Sequence, residues 1–460
     1  MNTFSAVAPR RRDVAGVADT LAHEAVPGYW PKTVSIAIAM FAIIAVRFHE
    51  LVPVLALFRP ALLLSVGGTL LILHNTARPC IRDALRHPIS VLVVLYFAWG
   101  VATVPTALWP AHGVDTLKAL LPAILLFIAV QLAPPRPVVV NRILYGFIAA
   151  LTIFAFLGRA SARVRGGRMR FELGMYDSND LAALMALAFP LALGAALRLR
   201  GRAQVAAWIG MFIVLLTTIA TGSRGGFLGL VAGGLAFVAA SRGPKQLIVA
   251  IVLAVGGVIG WSSAAPTFRS RILGLTDLSN DYNVTSEVGR QAVWKRGWTY
   301  IKANPIMGVG IGNFSMAEGD YFTTDDRRGK WSTAHNSYIQ VAAETGFPGA
   351  FIFVAMVGTA LGIGWRLSRG AVTAGGITRM PEYFASPVAF AVTALFLSHA
   401  YFNPLFGMLG LIALADRAYF RAPPIASPAT ARAVPRWERR SGFRGGLAVE
   451  RERLRDAWPR

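Results

Sequence analysis

Three side chains of this sequence could together act on a charged substrate. They are Arg224 in Gly222-Ser223-Arg224-Gly225-Gly226, Arg290, and His335 at the head of His335-Asn336-Ser337-Tyr338. An unperturbed histidine titrates near neutrality, at about pH 6.5, and can take a proton from a hydroxyl without a metal. Two arginines near one depth of an apolar protein are costly unless an anion or a carboxylate neutralises them. The set therefore suits deprotonation of a hydroxyl beside an anionic group, and a pyrophosphate fits. Glu344 and Gly346 follow where the chain re-enters apolar sequence. A helix beginning near Asn336 would put the Glu344 carboxylate some two turns below His335, which gives it a supporting role.

The elements that hold these residues are dictated by composition. The chain has 460 residues, 55% hydrophobic and only 15% charged, with a mean hydropathy of +0.52. So apolar a chain has lipid as its main solvent. A lipid-spanning helix needs about 20 mainly apolar residues, and such runs recur from Ile36 to Phe420. The fold class expected is all-α, a polytopic membrane protein of about 12 transmembrane helices with a large outer loop between helices 9 and 10. Spans are placed at 34–58, 59–74, 88–109, 114–132, 141–158, 180–198, 203–221, 225–241, 246–263, 341–367, 384–402 and 404–420. His49, Glu50 and Pro53 interrupt the first, which is one tilted helix or a broken one.

The net charge of +23 would suggest a nucleic-acid partner in a soluble chain. Here the charges lie between apolar spans, where cytoplasmic loops collect Lys and Arg, so no nucleic acid is implied. Arg78, Arg82 and Arg86, then Arg136 and Arg142, then Arg198, Arg200 and Arg202 fall on alternate sides of the spans. So do Arg242 with Lys245, and Arg366 with Arg369. An inside N-terminus and an even number of spans put all of them in the cytoplasm. The expected organisation is a cytoplasmic segment 1–33, helices 1–9 over 34–263, an outer region 264–340, helices 10–12 over 341–420, and a basic cytoplasmic tail 421–460. Arg10 to Arg12 precede polar sequence, not an apolar run, so no cleaved signal is expected. Cys80 is the only cysteine, which excludes an internal disulfide or a thiolate metal cluster.

Two long outer segments remain. The first, 159–179, carries Arg159, Arg163, Arg165, Arg168 and Arg170, either a basic surface for an anionic ligand or a solvated loop. The second should hold a helix capped by Thr285 or Ser286 and ending before Pro305, with Trp294, Trp298 and Ile301 on a face suited to the membrane interface. Gly308 to Gly312 lacks the preceding strand and the Gly-Lys-Ser/Thr of a nucleotide loop and reads as a tight turn. Asp325 and Asp326 beside Arg327, Arg328 and Lys330 form a solvated tip or a lid, with no metal site expected there. Asp177 and Asn179 precede the sixth span, where such residues commonly cap a helix.

His335-Asn336-Ser337-Tyr338 followed by Glu344-Thr345-Gly346 resembles the signature of the O-antigen ligase and polymerase superfamily. So do Ser223-Arg224-Gly225, Arg290 ahead of a Trp-bearing helix, Asn304-Pro305 leading to Gly308-Val309-Gly310-Ile311-Gly312, and Asp177-Ser178-Asn179. The resemblance runs over about 174–365 in order and spacing. It implies a glycosyltransferase of the GT-C kind in a bacterial inner membrane, inverting and metal-independent, with no cofactor and an active site facing the periplasm. The implied donor is an undecaprenyl-pyrophosphate-linked glycan, and the implied acceptor a lipid A core or another glycan. Arg224 and Arg290 would bind the pyrophosphate and His335 would be the catalytic base, supported by Asn179, Asp177, Ser223, Tyr338 and Glu344. Ligase and repeat-unit polymerase for O-antigen or exopolysaccharide are both compatible with these motifs. A polysaccharide or lipid transporter is the reading from another class, which His49-Glu50 and the Asn403-Pro404 break would favour.

Overall fold

The computed structural model describes residues 32–421 except 52–53, 55–57, 59, 77, 161, 166–167, 172–176, 264–265, 267–268, 270–285, 287–288, 324–330 and 374–375. The tail 422–460, the segment 1–31 and the Asp325–Lys330 cluster lie outside the described residues, as does Thr285. The described fold belongs to the unit 28–420; the second unit, 1–27 with 421–460, falls almost wholly outside it.

The described residues are helical nearly throughout. In order come α1 (Lys32–Met40, continued by a wider turn Phe41–Ala45), α2 (Pro60–Asn75), α3 (Arg78–Leu85), α4 (Pro88–Ala102), α5 (Pro110–Gln131) and α6 (Pro137–Ala160). Then follow α7 (Ser178–Arg198), α8 (Gly201–Ala220), α9 (Arg224–Ala240), α10 (Pro244–Ser263), α11 (Arg290–Ala303) and α12 (Phe314–Thr323). The last are α13 (Ser337–Arg369), α14 (Glu382–Thr393) and α15 (Asn403–Asp416). Proline opens α2, α4, α5, α6 and α10, a position where its missing N–H costs nothing and its fixed φ suits the helix.

Among the described residues, six helical stretches are long and apolar enough to cross a membrane: Pro88–Thr106, Pro110–Gln131, Pro137–Arg159, Ser178–Arg198, Gly201–Ala220 and Ser337–Arg369. Four shorter apolar helices, Lys32–Ala45, Pro60–His74, Arg224–Ala240 and Gln246–Val258, accompany them. This is a mostly α-helical, polytopic membrane architecture. α7 lies at its centre, with every residue from Leu181 to Ala196 buried. Close helix approach there uses small residues, as lipid-embedded packing requires. A Cβ on Gly226 would lie 2.3 Å from that of Ala182 in α7, and one on Gly229 would lie 2.2 Å from the Thr393 methyl in α14.

Several expected elements differ. The first span, expected over 34–58, breaks after Ala45, where Arg47 takes φ 61 and its guanidinium pairs with Glu50 across a short 3-10 turn, Phe48–Leu51. The span expected at 384–402 stops at Thr393, and an irregular turn leads to α15, because Pro404 in the first turn of α15 can only start a helix. An additional helix, α3, carries the first basic loop, and Asp83 in it pairs with Arg417.

Two hairpins depart from the all-α expectation. β1 (Ala162–Arg165) pairs antiparallel with β2 (Arg168–Phe171), matching Arg163 with Arg170 and Arg165 with Arg168, so the arginine-rich segment is a β-hairpin and not an open loop. β3 (Ala371–Thr373) and β4 (Gly376–Thr378) form the second. α11 starts at Arg290 with Gly289 as its cap, later than Thr285 or Ser286, and ends before Pro305 as expected. Its buried face is Val293, Gly297 and Ile301, packed on α13 and α12, while Trp298 stays 50% exposed, so only part of the Trp face looks outward.

Candidate functional site

His335 sits in the segment that enters α13, and its backbone is in the left-handed region, with φ 49. Histidine tolerates that region better than bulkier or branched residues, but the conformation must still be held by its surroundings. Here the His335 N–H donates to Ser398 Oγ at 2.8 Å. Its ring is half-buried, with Nε2 3.4 Å from the Thr333 hydroxyl. Immediately after it, Asn336 caps α13 by accepting from the N–H groups of Tyr338 and Ile339. The Tyr338 hydroxyl donates to Ala391 O at 3.1 Å and fastens α13 to α14.

The partner of this entry segment is the turn 394–402. Ser337 N donates to Ala394 O at 2.7 Å, Ser337 Oγ donates to Leu397 O at 2.7 Å, and His399 N donates to Ser337 Oγ at 2.8 Å. Four hydrogen bonds, counting the one from His335 to Ser398, thus zip the two turns together.

Arg224 is the first residue of α9, and the sequence folds there because Ser223 caps the helix by accepting from Gly226 N. The Ser223 hydroxyl also donates to Asn179 Oδ1 at 2.9 Å. Asp177 in turn caps α7 by accepting from the N–H groups of Asn179 and Asp180. The capping expectation for Asp177 therefore holds, while Asn179 does something different, tying the starts of α7 and α9. Beside Arg224, Gly225 faces the turn 394–402: a Cβ on it would lie 2.8 Å from that of Phe396. Gly225, next to Arg224, and the His335 segment thus both pack against this turn.

Arg290 opens α11. One turn on, the Trp294 indole N–H donates to Ala334 O at 2.9 Å, next to His335. The first turn of α11 is thereby pinned to the segment carrying the histidine. Farther along, Arg296 makes a two-pronged ion pair with the fully buried Glu318 of α12, through contacts of 2.8 and 2.6 Å. Those hydrogen bonds hold the guanidinium above its ordinary pKa. Burial and the same carboxylate push the Tyr300 hydroxyl upward too.

Glu344 is buried and reaches a different neighbour from His335. Its carboxylate accepts from Gly312 N at 2.9 Å, Phe314 N at 3.2 Å and the Tyr401 hydroxyl. Gly308, Gly310 and Gly312 have φ of 65, 94 and 75, a tight turn as expected. This turn fits into a break in α13 at Gly346, φ 67, where Val309 N donates to Ala343 O and Phe347 N to Pro305 O. The Glu-Thr-Gly motif and the glycine run are two halves of one joint, and Glu344 holds it shut.

The spacing-based reading missed Asp180, Ser398 and His399. His399 is 3% exposed, its Nε2 lies 2.8 Å from Asp180 Oδ1, and its ring stacks on Phe402 at 4.4 Å. A histidine in an apolar run shortly before Asn403-Pro404 is the signal that could have found it.

Residues 209–354 match the family model described as O-antigen ligase. That segment contains Ser223, Arg224, Arg290, His335, Tyr338 and Glu344; Asp177, Asn179, Asp180 and the turn 394–402 lie beyond it. No curated protein matches the chain. Over residues 209–354 the chain is similar to the O-antigen ligase family.

Proposed function

We propose that this protein transfers a glycan from an undecaprenyl-pyrophosphate donor to an acceptor hydroxyl at the periplasmic face of a bacterial inner membrane, as a ligase does. The reading is supported by the ties of the His335 segment to Ser398 and to Trp294 of the helix that Arg290 begins, by the packing of Gly225, next to Arg224, on the turn that holds Ser398, and by the match of residues 209–354 to the O-antigen ligase family. His335 takes the acceptor proton. The acceptor oxygen attacks the anomeric carbon from the face opposite the pyrophosphate, the anomeric C–O bond breaks, and configuration inverts. Arg224 and Arg290 hold the pyrophosphate as charge builds on it, their planar forks engaging phosphate oxygens in pairs at any working pH. The base and the two cations come from the protein, so the reaction runs without a metal.

α9 suits a lipid-linked donor. Its glycine face packs inward on α7 and α14, while Phe227, Val231 and Leu235 line an apolar groove shared with Leu215 of α8 and opened by Gly256 and Gly257 of α10. On a helix, positions seven and eleven residues after Arg224 fall within about 20° of it, so Arg224 heads the stripe that Val231 and Leu235 continue. A cation above an apolar groove fits a pyrophosphate with a polyprenyl chain below it.

The basic ends of the helices support the orientation. Arg198 of α7, Arg366 of α13 and Arg417 after α15 lie at helix C-termini, whereas α7, α9 and α13 begin at the candidate site. Lys and Arg collect on the cytoplasmic side, which favours the periplasm for the opposite end.

The second reading, a repeat-unit polymerase, shares the donor and differs in the acceptor. Purified protein supplied with undecaprenyl-pyrophosphate glycan and either a lipid A core or a second lipid-linked glycan separates them. Product on the core supports ligation and product on the lipid-linked glycan supports polymerisation. Turnover with neither, for a donor that binds, overturns the transferase.

A further inference from the structure

The turn 394–402 contacts the His335 segment more intimately than connecting two helices requires. Ser398 Oγ accepts the His335 N–H, the bond that fixes a left-handed histidine. Ser337 Oγ is the hub of the same turn, donating to Leu397 O and accepting from His399 N. The His399 ring then reaches out of the turn to Asp180, in the first turn of α7. Asp180 follows Asn179, which is bonded to Ser223, the cap of the helix that Arg224 begins.

A continuous polar path therefore runs from the Arg224 helix through Asn179, Asp180 and His399 to Ser398 and His335. His399 Nδ1 is buried and has no hydrogen-bond partner among the described residues. Leaving a buried polar atom unpaired is unfavourable, and an apolar residue stacked on Phe402 would avoid that cost. A side chain kept at such a cost is explained by the position its other nitrogen fixes.

We infer that Ser398, His399 and Asp180 are positioning residues for His335: Ser398 holds its backbone, and the His399–Asp180 pair fixes the turn carrying Ser398 to the helix bundle. The inference rests on His335 being the base of the proposed transfer. Misplacement of a reacting group by about 1 Å is enough to cost about a hundredfold in rate.

The test is steady-state transfer by the full-length protein with undecaprenyl-pyrophosphate glycan, comparing wild type with His335→Ala, Ser398→Ala, Ser398→Thr, His399→Gln and Asp180→Asn. Thermal unfolding of each in detergent identifies variants that fail to fold. The expected result is a kcat lowered about ten- to a hundredfold in Ser398→Ala and His399→Gln, a smaller loss in Asp180→Asn, a donor KM within about twofold of wild type, and recovery in Ser398→Thr, which keeps the hydroxyl. Wild-type kcat in folded Ser398→Ala and His399→Gln, with His335→Ala inactive, overturns the positioning role and leaves the transferase standing. A rise in donor KM equal to the loss in kcat also overturns it, since that marks a general loosening of the site. Full activity in His335→Ala would remove the base assignment itself, and the positioning role with it.

Discussion

At the scale of single residues, the site is described by what each polar group is already committed to. Asn179, Ser223, Asp177 and Asn336 spend hydrogen bonds on helix starts, and Tyr338 and Glu344 on joints between elements, so these five supports and the Asn336 cap are framework. Ser223→Ala removes both a cap and the tie to Asn179, and should lower stability by about 1–2 kcal/mol, read as a lower unfolding temperature in detergent. An unchanged unfolding temperature would mean that the cap contributes nothing. On the proposed function, Arg224→Lys keeps the charge and loses the fork, so donor KM should rise about tenfold or more in steady-state assays. An unchanged KM would take Arg224 out of pyrophosphate binding.

At the scale of elements, what was legible in the sequence follows from how local the cause is. The glycine run read as a tight turn because positive φ is a property of the residues themselves, and α11 ended where Pro305 dictates. The partner of that turn was not legible: Glu344 was read against His335, nine positions away along the chain, yet binds Gly312, thirty-two positions away. Likewise the span expected at 384–402 merged a helix with the turn that holds His335, because apolar composition continues past Thr393 to Phe402 with only Ser398 and His399 interrupting it there. Gly346 joins the two halves of the joint. A Cβ there would lie 2.1 Å from Ile306 O at φ 67, so Gly346→Ala should cost about 1–3 kcal/mol of stability and displace the glycine turn, measured by thermal unfolding. Gly257 has open space around its Cβ, so Gly257→Trp should fold, fill the groove beside α9 and raise KM for a donor of full polyprenyl length. A donor with a chain of two or three isoprene units should be unaffected; equal effects on both would place the lipid chain elsewhere.

At the scale of the whole molecule, charge divides the bundle into two ends. Glu382 pairs with Arg198, Asp416 with Arg366 and His87, and Arg417 with Asp83, all at the ends of helices remote from His335. The alternation of basic loops predicted this end from sequence, whereas the acidic partners, scattered over α3, α14 and α15, emerge only once the helices pack. Glu382 is fully buried, and removing it strands Arg198, so Glu382→Ala should destabilise the protein by about 3–5 kcal/mol in chemical or thermal unfolding, without altering donor KM in protein that remains folded. The central claim is that His335 is the base of a metal-independent glycan transfer. The most direct test is transfer from undecaprenyl-pyrophosphate glycan by purified wild type and His335→Ala, each in EDTA. Wild type should give product that survives chelation, and the variant should lose about a hundredfold or more. Equal rates for the two proteins, or wild-type activity abolished by EDTA and restored by a divalent ion, would contradict that claim.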